Sequence, residues 1–434
     1  MPLDWGWGPW LLLGALAFFA AGWVAARFDV RQLLRESKIL PQSYFRGLNF
    51  LLSEQQDKAI EAFIEATNAN PEAIELQFAL GSLFRRRGEV DRSIRVHQSL
   101  SERSDINAEQ RVTALIELSM DYQKSGLLDY AEKILSDIGA KGSGTVLQQA
   151  QTLKLLLDIY VQENDWKKAI DVAERLSSGL AGDASKLRQH KAMTKEIAHY
   201  YCELAADEYA KTSAKSHDQI QAKNQSEDYA LAERALSAAL NTDPQCVRVH
   251  LMRGEWLQAA GQHEAAIAEW QKIEVQDPTY LGLMAEKLLA SYDALGRGAE
   301  GLAHLRELQR QYAALDLLNA IFTATMASAG PQAAYELVKE DLRTNPTLVG
   351  LDRLLEAQIL AAPDDRKKDL TMLKALVHSH SSRLAVYLCK QCGFKAKQFY
   401  WHCPACGGWE TFPPRRTAEY DSAERHLARS HVEG

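Results

Sequence analysis

The stretch that decides the fold is YFRGLNFLLSEQQDKAIEAFIEATNANP, residues 44–71. Its small and large apolar residues follow one another at offsets of 3, 9, 4, 3 and 5 positions. They are Gly47, Phe50, Ala59, Phe63, Ala66 and Pro71. The same offsets return in MRGEWLQAAGQHEAAIAEWQKIEVQDP, residues 252–278, at Gly254, Leu257, Ala266, Trp270, Ile273 and Pro278. Self-similarity of this kind indicates an array of repeated helical units.

These offsets are those of the tetratricopeptide repeat, in which small residues let two antiparallel helices approach and larger ones fill the space between them. Gly81 and Phe84 repeat Gly47 and Phe50 after 34 residues. The sequence therefore predicts an all-α fold, a superhelix of about nine repeats over residues 44–382. The first helix of each pair would line a concave face that binds peptides or proteins. A polar insertion at 211–229 is expected to be a loop or a helix extension.

Length and charge limit the remaining choices. A chain of 434 residues exceeds what a single compact core usually holds, which agrees with an elongated repeat array. The formal net charge of -7 provides no general attraction to nucleic acid. Cys202 and Cys246 stand alone in helical stretches and are expected to be small buried side chains.

The N-terminus has the composition of a membrane anchor. Residues Trp5 to Ala26 are uncharged, and at about 1.5 Å of rise per residue a helix of this length crosses a ~30 Å hydrocarbon core. A cleaved signal peptide is the alternative, but it needs basic residues before the apolar segment, and here they follow it, in the linker 27–43. The sequence therefore predicts an anchor at 1–26, with the C-terminal body in the cytoplasm and membrane contact through this helix.

Four of the six cysteines lie in CKQCGFKAKQFYWHCPACGG, residues 389–408. Their C-x2-C-x10-C-x2-C spacing lets two tight turns direct four sulfurs at one ion, and a glycine follows each pair. The predicted ligands are Cys389, Cys392, Cys403 and Cys406, and they suit one iron or zinc ion equally. We place this metal-binding domain at 383–416, followed by a polar tail at 417–434.

The residues around the cysteines allow more than one interpretation. Six basic side chains outnumber the single acid, Glu410, between residues 383 and 416, and they could offset the charge of the thiolates or contact nucleic acid. The aromatic residues are expected to pack the small domain or to dock it on the last repeats. With four thiolates present, His402 is not expected to be a ligand, and His378 and His380 are expected to be solvated. Motifs for phosphate binding, zinc proteolysis or a nucleophile elbow do not occur, which favours a protein that is not an enzyme.

The order of anchor, repeats and four-cysteine domain resembles the lipopolysaccharide assembly protein B family. The resemblance rests on GLNFLLSEQQDKAIEAF, HYYCELA, CKQCGF and YWHCPACGGW. It covers the chain to about Pro414, and it departs from the family at 211–229 and after Arg416.

That resemblance implies a rubredoxin-like metal domain that packs against the repeats, and an adaptor in the bacterial inner membrane. The implied partners are the membrane protease FtsH, the deacetylase LpxC that it degrades, and other lipopolysaccharide assembly proteins. Electron transfer through an iron centre and nucleic-acid binding by a zinc ribbon remain the alternatives. The sequence leaves homodimer formation open.

Overall fold

The structure is a computed structural model that describes residues 42–70, 72–180, 187–215, 225–312, 314–384 and 387–414. The predicted anchor at 1–26, most of the linker 27–43 and the tail 417–434 lie outside these residues. Over the described residues, no helix combines the length and the apolar character needed to cross a membrane.

The chain forms two compact units, which divide between Gly179 and Leu180. The first unit consists of four consecutive helix pairs joined by short turns. These helices are α1 (Gln42–Leu52), α2 (Gln56–Ala69), α3 (Ile74–Arg87), α4 (Val90–Glu102), α5 (Ala108–Lys124), α6 (Leu128–Lys141), α7 (Val146–Glu163) and α8 (Trp166–Leu180).

Close approach of the two helices explains the glycine in the first helix of each of the first two pairs. A Cβ at Gly47 would lie 2.7 Å from the ring of Phe63, and one at Gly81 would lie 2.4 Å from Nε2 of His97. Both distances are far below van der Waals contact, so the larger partner fills the volume that glycine leaves free. The spacing of small and large residues therefore determines which helices pair.

The second unit continues with helices and ends in a small two-stranded domain. Its elements are α9 (Leu187–Lys215), α10 (Gln225–Thr242), α11 (Val247–Ala259), α12 (His263–Gln276), a 3₁₀ turn (Pro278–Tyr280), α13 (Leu281–Ala294), α14 (Gly298–Tyr312), α15 (Leu315–Thr344), α16 (Leu348–Ala361), α17 (Asp364–Leu384), β1 (Tyr387–Leu388) and β2 (Lys395–Ala396). The two strands are antiparallel, with Tyr387 opposite Ala396.

Helix α15 is two helices that meet at a break. Gly330 has φ 82° and ψ 178°, which no helix contains, and Pro331 follows it. Counting its two arms as the eighth pair, the described residues contain nine helix pairs. The predicted insertion at 211–229 contributes helical ends, because α9 extends to Lys215 and α10 begins at Gln225; residues 216–224 are not among those described.

The largest apolar core of the second unit joins the repeats to the small domain. It extends from Val247 on α11 to Ile321 on α15, and Phe399 and Trp401 of the small domain pack against it. The small domain, which contains the four cysteines, is therefore not an independent module at the end of the chain. It is part of the packing of the second unit.

Candidate functional site: a four-cysteine centre docked on the repeats

The four predicted ligands converge on one point. Their sulfur atoms all lie within 4.8 Å of one another. Sγ of Cys389 is 3.8 Å from Sγ of Cys406, and Sγ of Cys392 is 3.8 Å from Sγ of Cys403. A tetrahedral ion with metal–sulfur bonds of about 2.3 Å separates its sulfurs by about 3.8 Å. The four-cysteine site therefore suits one metal ion, and thiolate donors in this geometry accept iron as well as zinc.

Two equivalent turns bring the sulfurs together. The amide of Gly393 donates to the carbonyl of Cys389 over 3.0 Å, and that of Gly407 donates to the carbonyl of Cys403 over 2.9 Å. The glycines have φ of 77° and 68°, a left-handed conformation that side chains disfavour. The sequence signal of a glycine after each C-x-x-C pair thus has a direct backbone cause.

The thiolates are stabilised unevenly. Burial acts to raise the pKa of Cys389, but hydrogen bonds from the Thr411 side chain and from the amides of Cys392 and Gln391 outweigh burial and lower the pKa to about 6. Cys389 and Cys403 are buried, whereas Cys392 is exposed. With four thiolates around a tetrahedral ion no coordination position is left for a substrate, as in structural sites.

The aromatic side chains of the small domain point into the repeats. Trp401 stacks on Tyr280, with ring centroids 5.3 Å apart and planes 9° apart. Trp409 stacks on His199 at 5.2 Å and 15°. These two indoles therefore pack against α9 of the fifth pair and against the 3₁₀ turn that precedes the seventh pair. Other rings of the domain pack against one another, as Phe394 and Tyr400 do against Phe412, so the aromatic residues both pack the small domain and dock it on the repeats.

Glu410 provides the ionic part of this contact. Its carboxylate lies 3.1 Å from Nζ of Lys195 and 3.1 Å from Nε2 of His199, both on α9. The contact with His199, followed by the charge of Lys195, lowers the pKa of Glu410 to about 2, although burial acts in the opposite direction. Burial also lowers the pKa of His199, so this imidazole is neutral at pH 7.

Two further contacts extend the docking surface to α11 and α15. The hydroxyl of Tyr387 donates to Oδ2 of Asp316 over 2.7 Å. The Arg248 guanidinium lies over the Trp401 ring at 5.6 Å from its centroid, and its Nη2 donates to Glu203 over 2.8 Å. The small domain therefore occupies the face formed by the first helices of pairs five to eight.

The remaining sequence candidates do not form a second site. Cys202 and Cys246 are buried, as expected. His378 is exposed and lies 3.0 Å from Asp352, and His380 is also exposed. His402 stacks on Trp409 at 4.5 Å. In the part of the chain that the structure describes, the four cysteines are the one group of three or more Cys, His, Asp or Glu donors arranged to hold a metal.

Sequence reasoning did not find the ionic contact that helps to hold the domain in place. Lys195 and Glu410 are 215 positions apart, and neither belongs to a motif. The single available signal was that Glu410 is the only acid between residues 383 and 416. An isolated acid in a basic segment is a reason to look for a distant cation.

Comparisons with known proteins agree with this organisation. A family model described as a rubredoxin metal binding domain matches residues 387–414, and a tetratricopeptide repeat model matches residues 217–280. Lipopolysaccharide assembly protein B of Escherichia coli K12 is 33% identical over 399 residues, which are 92% of this chain and 95% of that protein. The protein of the same name from Haemophilus influenzae is 28% identical over 414 residues, 93% of this chain and 97% of that protein.

A solved tetratricopeptide repeat protein from Parabacteroides merdae covers 77% of this chain and 100% of its own, with 13% identity and a TM-score of 0.30. The sequence matches confirm the predicted family resemblance, the repeat class and the four-cysteine domain.

Proposed function

Because this chain belongs to the lipopolysaccharide assembly protein B family, we propose that it is a non-catalytic adaptor in lipopolysaccharide assembly. It would bring the LpxC deacetylase to the membrane protease FtsH and so restrain lipid A synthesis. The observation that carries this proposal is the match to Escherichia coli lipopolysaccharide assembly protein B, which extends over 92% of the chain.

The geometry supports a scaffold role. Helix pairs present extended surfaces that bind proteins without performing chemistry. The four thiolates saturate a tetrahedral ion, which supplies folding energy to a small domain. The residues of this site therefore have structural roles. The cysteines hold the ion, and Trp401, Trp409 and Glu410 hold the domain on the repeats.

The predicted anchor at 1–26 gives the adaptor its place in the inner membrane, with the repeats in the cytoplasm. Tethering two proteins to one scaffold raises their effective concentration to the millimolar range for short linkers, without new contacts between them. The anchor would hold the scaffold beside the protease, and the repeats would present the deacetylase.

Deletion of residues 1–26 tests this proposal. We expect the truncated chain to fold but to leave the deacetylase undegraded, since the protease is no longer within reach. The measurement is the half-life of the deacetylase in cells that express full-length or truncated chain at equal level. A normal half-life with the truncated chain would refute the tethering model.

Electron transfer is a second candidate, and the exposure of Cys392 favours it, because an exposed ligand shortens the path to a redox partner. It predicts that the protein purifies with iron and shows a reversible one-electron wave. Protein that contains zinc and shows no such wave would exclude electron transfer and leave the adaptor proposal intact.

A further inference from the structure

A groove of about 380 Å³ lies at the seam between the four-cysteine domain and the repeats. We call it the seam groove. Its apolar wall consists of Leu251, Met252 and Trp256 from α11, Leu283 from α13, and Phe399 and Trp401 from the four-cysteine domain. Two structural parts of the second unit thus build one cavity.

Ring contacts position three aromatic side chains of this wall. Trp256 stacks on Tyr209 of α9, with centroids 4.4 Å apart and planes 3° apart. Trp401 stacks on Tyr280, and Phe399 meets Trp401 edge to face at 4.9 Å. Rigid aromatic side chains in a preformed cavity lose little conformational entropy on binding, and they are the side chains that most often dominate binding energy.

The charged groups of the lining are Arg248 and Glu255. Glu255 already forms an ion pair with Lys287. Arg248 is 8% exposed and pairs with Glu203 through Nη2, but its Nη1 has no hydrogen-bond partner among the described residues. A buried donor without a partner loses free energy, so an occupant with an acceptor at this point is favoured. A carboxylate supplies the strongest such acceptor.

We propose that the seam groove binds a peptide segment of a partner protein in which an apolar side chain adjoins an acidic one. The apolar side chain fills the space between Trp256 and Trp401, and the carboxylate pairs with Arg248. The inference deepens the adaptor role proposed above, because it names the chemistry by which the repeats would hold a partner.

The seam groove also makes binding depend on the metal. Phe399 and Trp401 lie between Cys392 and Cys403, and a domain of this size is ordered by its ion. Metal removal would release both aromatic rings from the seam, open one wall and expose Arg248 to water. The four-cysteine centre then acts on binding through the shape of the groove and not through chemistry at the ion.

Three labelled peptides test the proposal on the full, metal-loaded chain by fluorescence anisotropy. The probe carries Leu-Phe-Glu between Gly-Ser spacers, one control replaces Glu with Gln, and the other replaces Leu-Phe with Gly-Gly. We expect the probe to bind, the Gln peptide to bind about tenfold more weakly, and the Gly-Gly peptide to lose at least about tenfold. Chelation of the metal should abolish probe binding.

Ala206→Phe and Ala140→Phe form the matched pair of variants. Ala206 lines the seam groove, so its replacement by Phe fills the cavity, whereas Ala140 is exposed on α6 in the first unit. Loss of binding in Ala206→Phe with retained metal, and unchanged binding in Ala140→Phe, is the expected result. If Ala206→Phe releases its metal, the smaller Ala206→Leu replaces it.

The seam groove is not a peptide site if all three peptides bind equally or if none of them binds. The same holds if the Ala206→Phe variant binds the probe as well as the unmodified chain does. Binding that survives chelation overturns its dependence on metal. Deacetylase half-life is measured separately, so failure of the groove and failure of the adaptor role are distinguishable.

Discussion

At the scale of single residues, Glu410 shows how a strained position supports a long-range contact. Its φ of 49° is in the left-handed region, which costs a residue other than glycine on the order of 1 kcal/mol. The backbone is held there by the amide of Glu410, which donates to the carbonyl of Trp401 over 2.9 Å. The conformation directs the carboxylate at Lys195 and His199, and the contacts with these two side chains offset the strain.

We predict that Glu410→Gln weakens docking of the four-cysteine domain by about 2 kcal/mol at pH 7, because a charged acceptor becomes neutral. The pKa of Glu410 is lowered from its ordinary 4.5 to about 2 in the folded protein. Its contribution to stability is therefore complete above about pH 4.5 and disappears as the pH falls toward 2.

Urea unfolding of both proteins, followed by tryptophan fluorescence at several pH values, measures this difference. The exposed Glu286→Gln on α13 is the control and should unfold like the unmodified chain. A difference between the Glu410→Gln and unmodified proteins that stayed constant down to pH 2 would show that the ionic contact is not its source.

Gly254 shows how one small residue permits close helix packing inside a repeat. A Cβ at this position would lie 2.1 Å from Nε1 of Trp270, which is fully buried. We predict that Gly254→Ala destabilises the second unit by about 1–3 kcal/mol, since the indole cannot move without displacing the core.

Gly139→Ala is the counterpart, because nothing lies within 4 Å of its added Cβ and the residue is helical. There we expect a gain of about 0.5–1 kcal/mol from helix propensity. Thermal unfolding of the two variants compares the effects, and equal loss of stability in both would contradict a steric origin.

At the scale of elements, the break in α15 produces a helix pair without a separate loop. The φ and ψ of Gly330 belong to a region that only glycine adopts readily, and Pro331 begins the next arm, where its missing N–H is not needed. The eighth pair therefore depends on backbone conformation at one residue.

Gly330→Ala tests this dependence. An added Cβ meets nothing within 4 Å, so any loss of stability is conformational and should be about 1–3 kcal/mol. Chemical denaturation followed by circular dichroism measures it. If the variant were as stable as the unmodified protein, the chain would be able to form the pair through another turn.

At the scale of the whole molecule, the four-cysteine domain is a part of the second unit whose own fold depends on a metal ion. We predict that Cys389→Ser releases the metal and loosens the docked aromatic residues, because three thiolates hold the ion less tightly. Most of the helix content should remain, since the helix pairs of the repeats are packed by their own cores.

Metal analysis and tryptophan fluorescence report the loss of the domain, and far-ultraviolet circular dichroism reports the helices. Cys202→Ser, outside the metal centre, is the control for the loss of a thiol and should retain the metal. Complete loss of helical signal in Cys389→Ser would mean that the repeats require the metal to fold.

The sequence by itself determined the features that depend on neighbouring residues. The offsets between Gly47 and Phe63 predicted helix pairs, because close approach of two helices needs a small residue opposite a large one. The cysteine spacing predicted the four-thiolate set, because a tight turn brings residues three apart onto one ion. The anchor at 1–26 remains a prediction from composition.

Only the tertiary structure decided where the four-cysteine domain lies. Its contacts with Lys195, His199 and Tyr280 join residues separated by more than a hundred positions. The spacing of the repeats along the sequence does not predict such contacts. The seam groove has the same origin, since Trp256 and Trp401 become neighbours through folding alone. Local spacing specifies elements, whereas docking depends on complementary surfaces that exist only after the elements have packed.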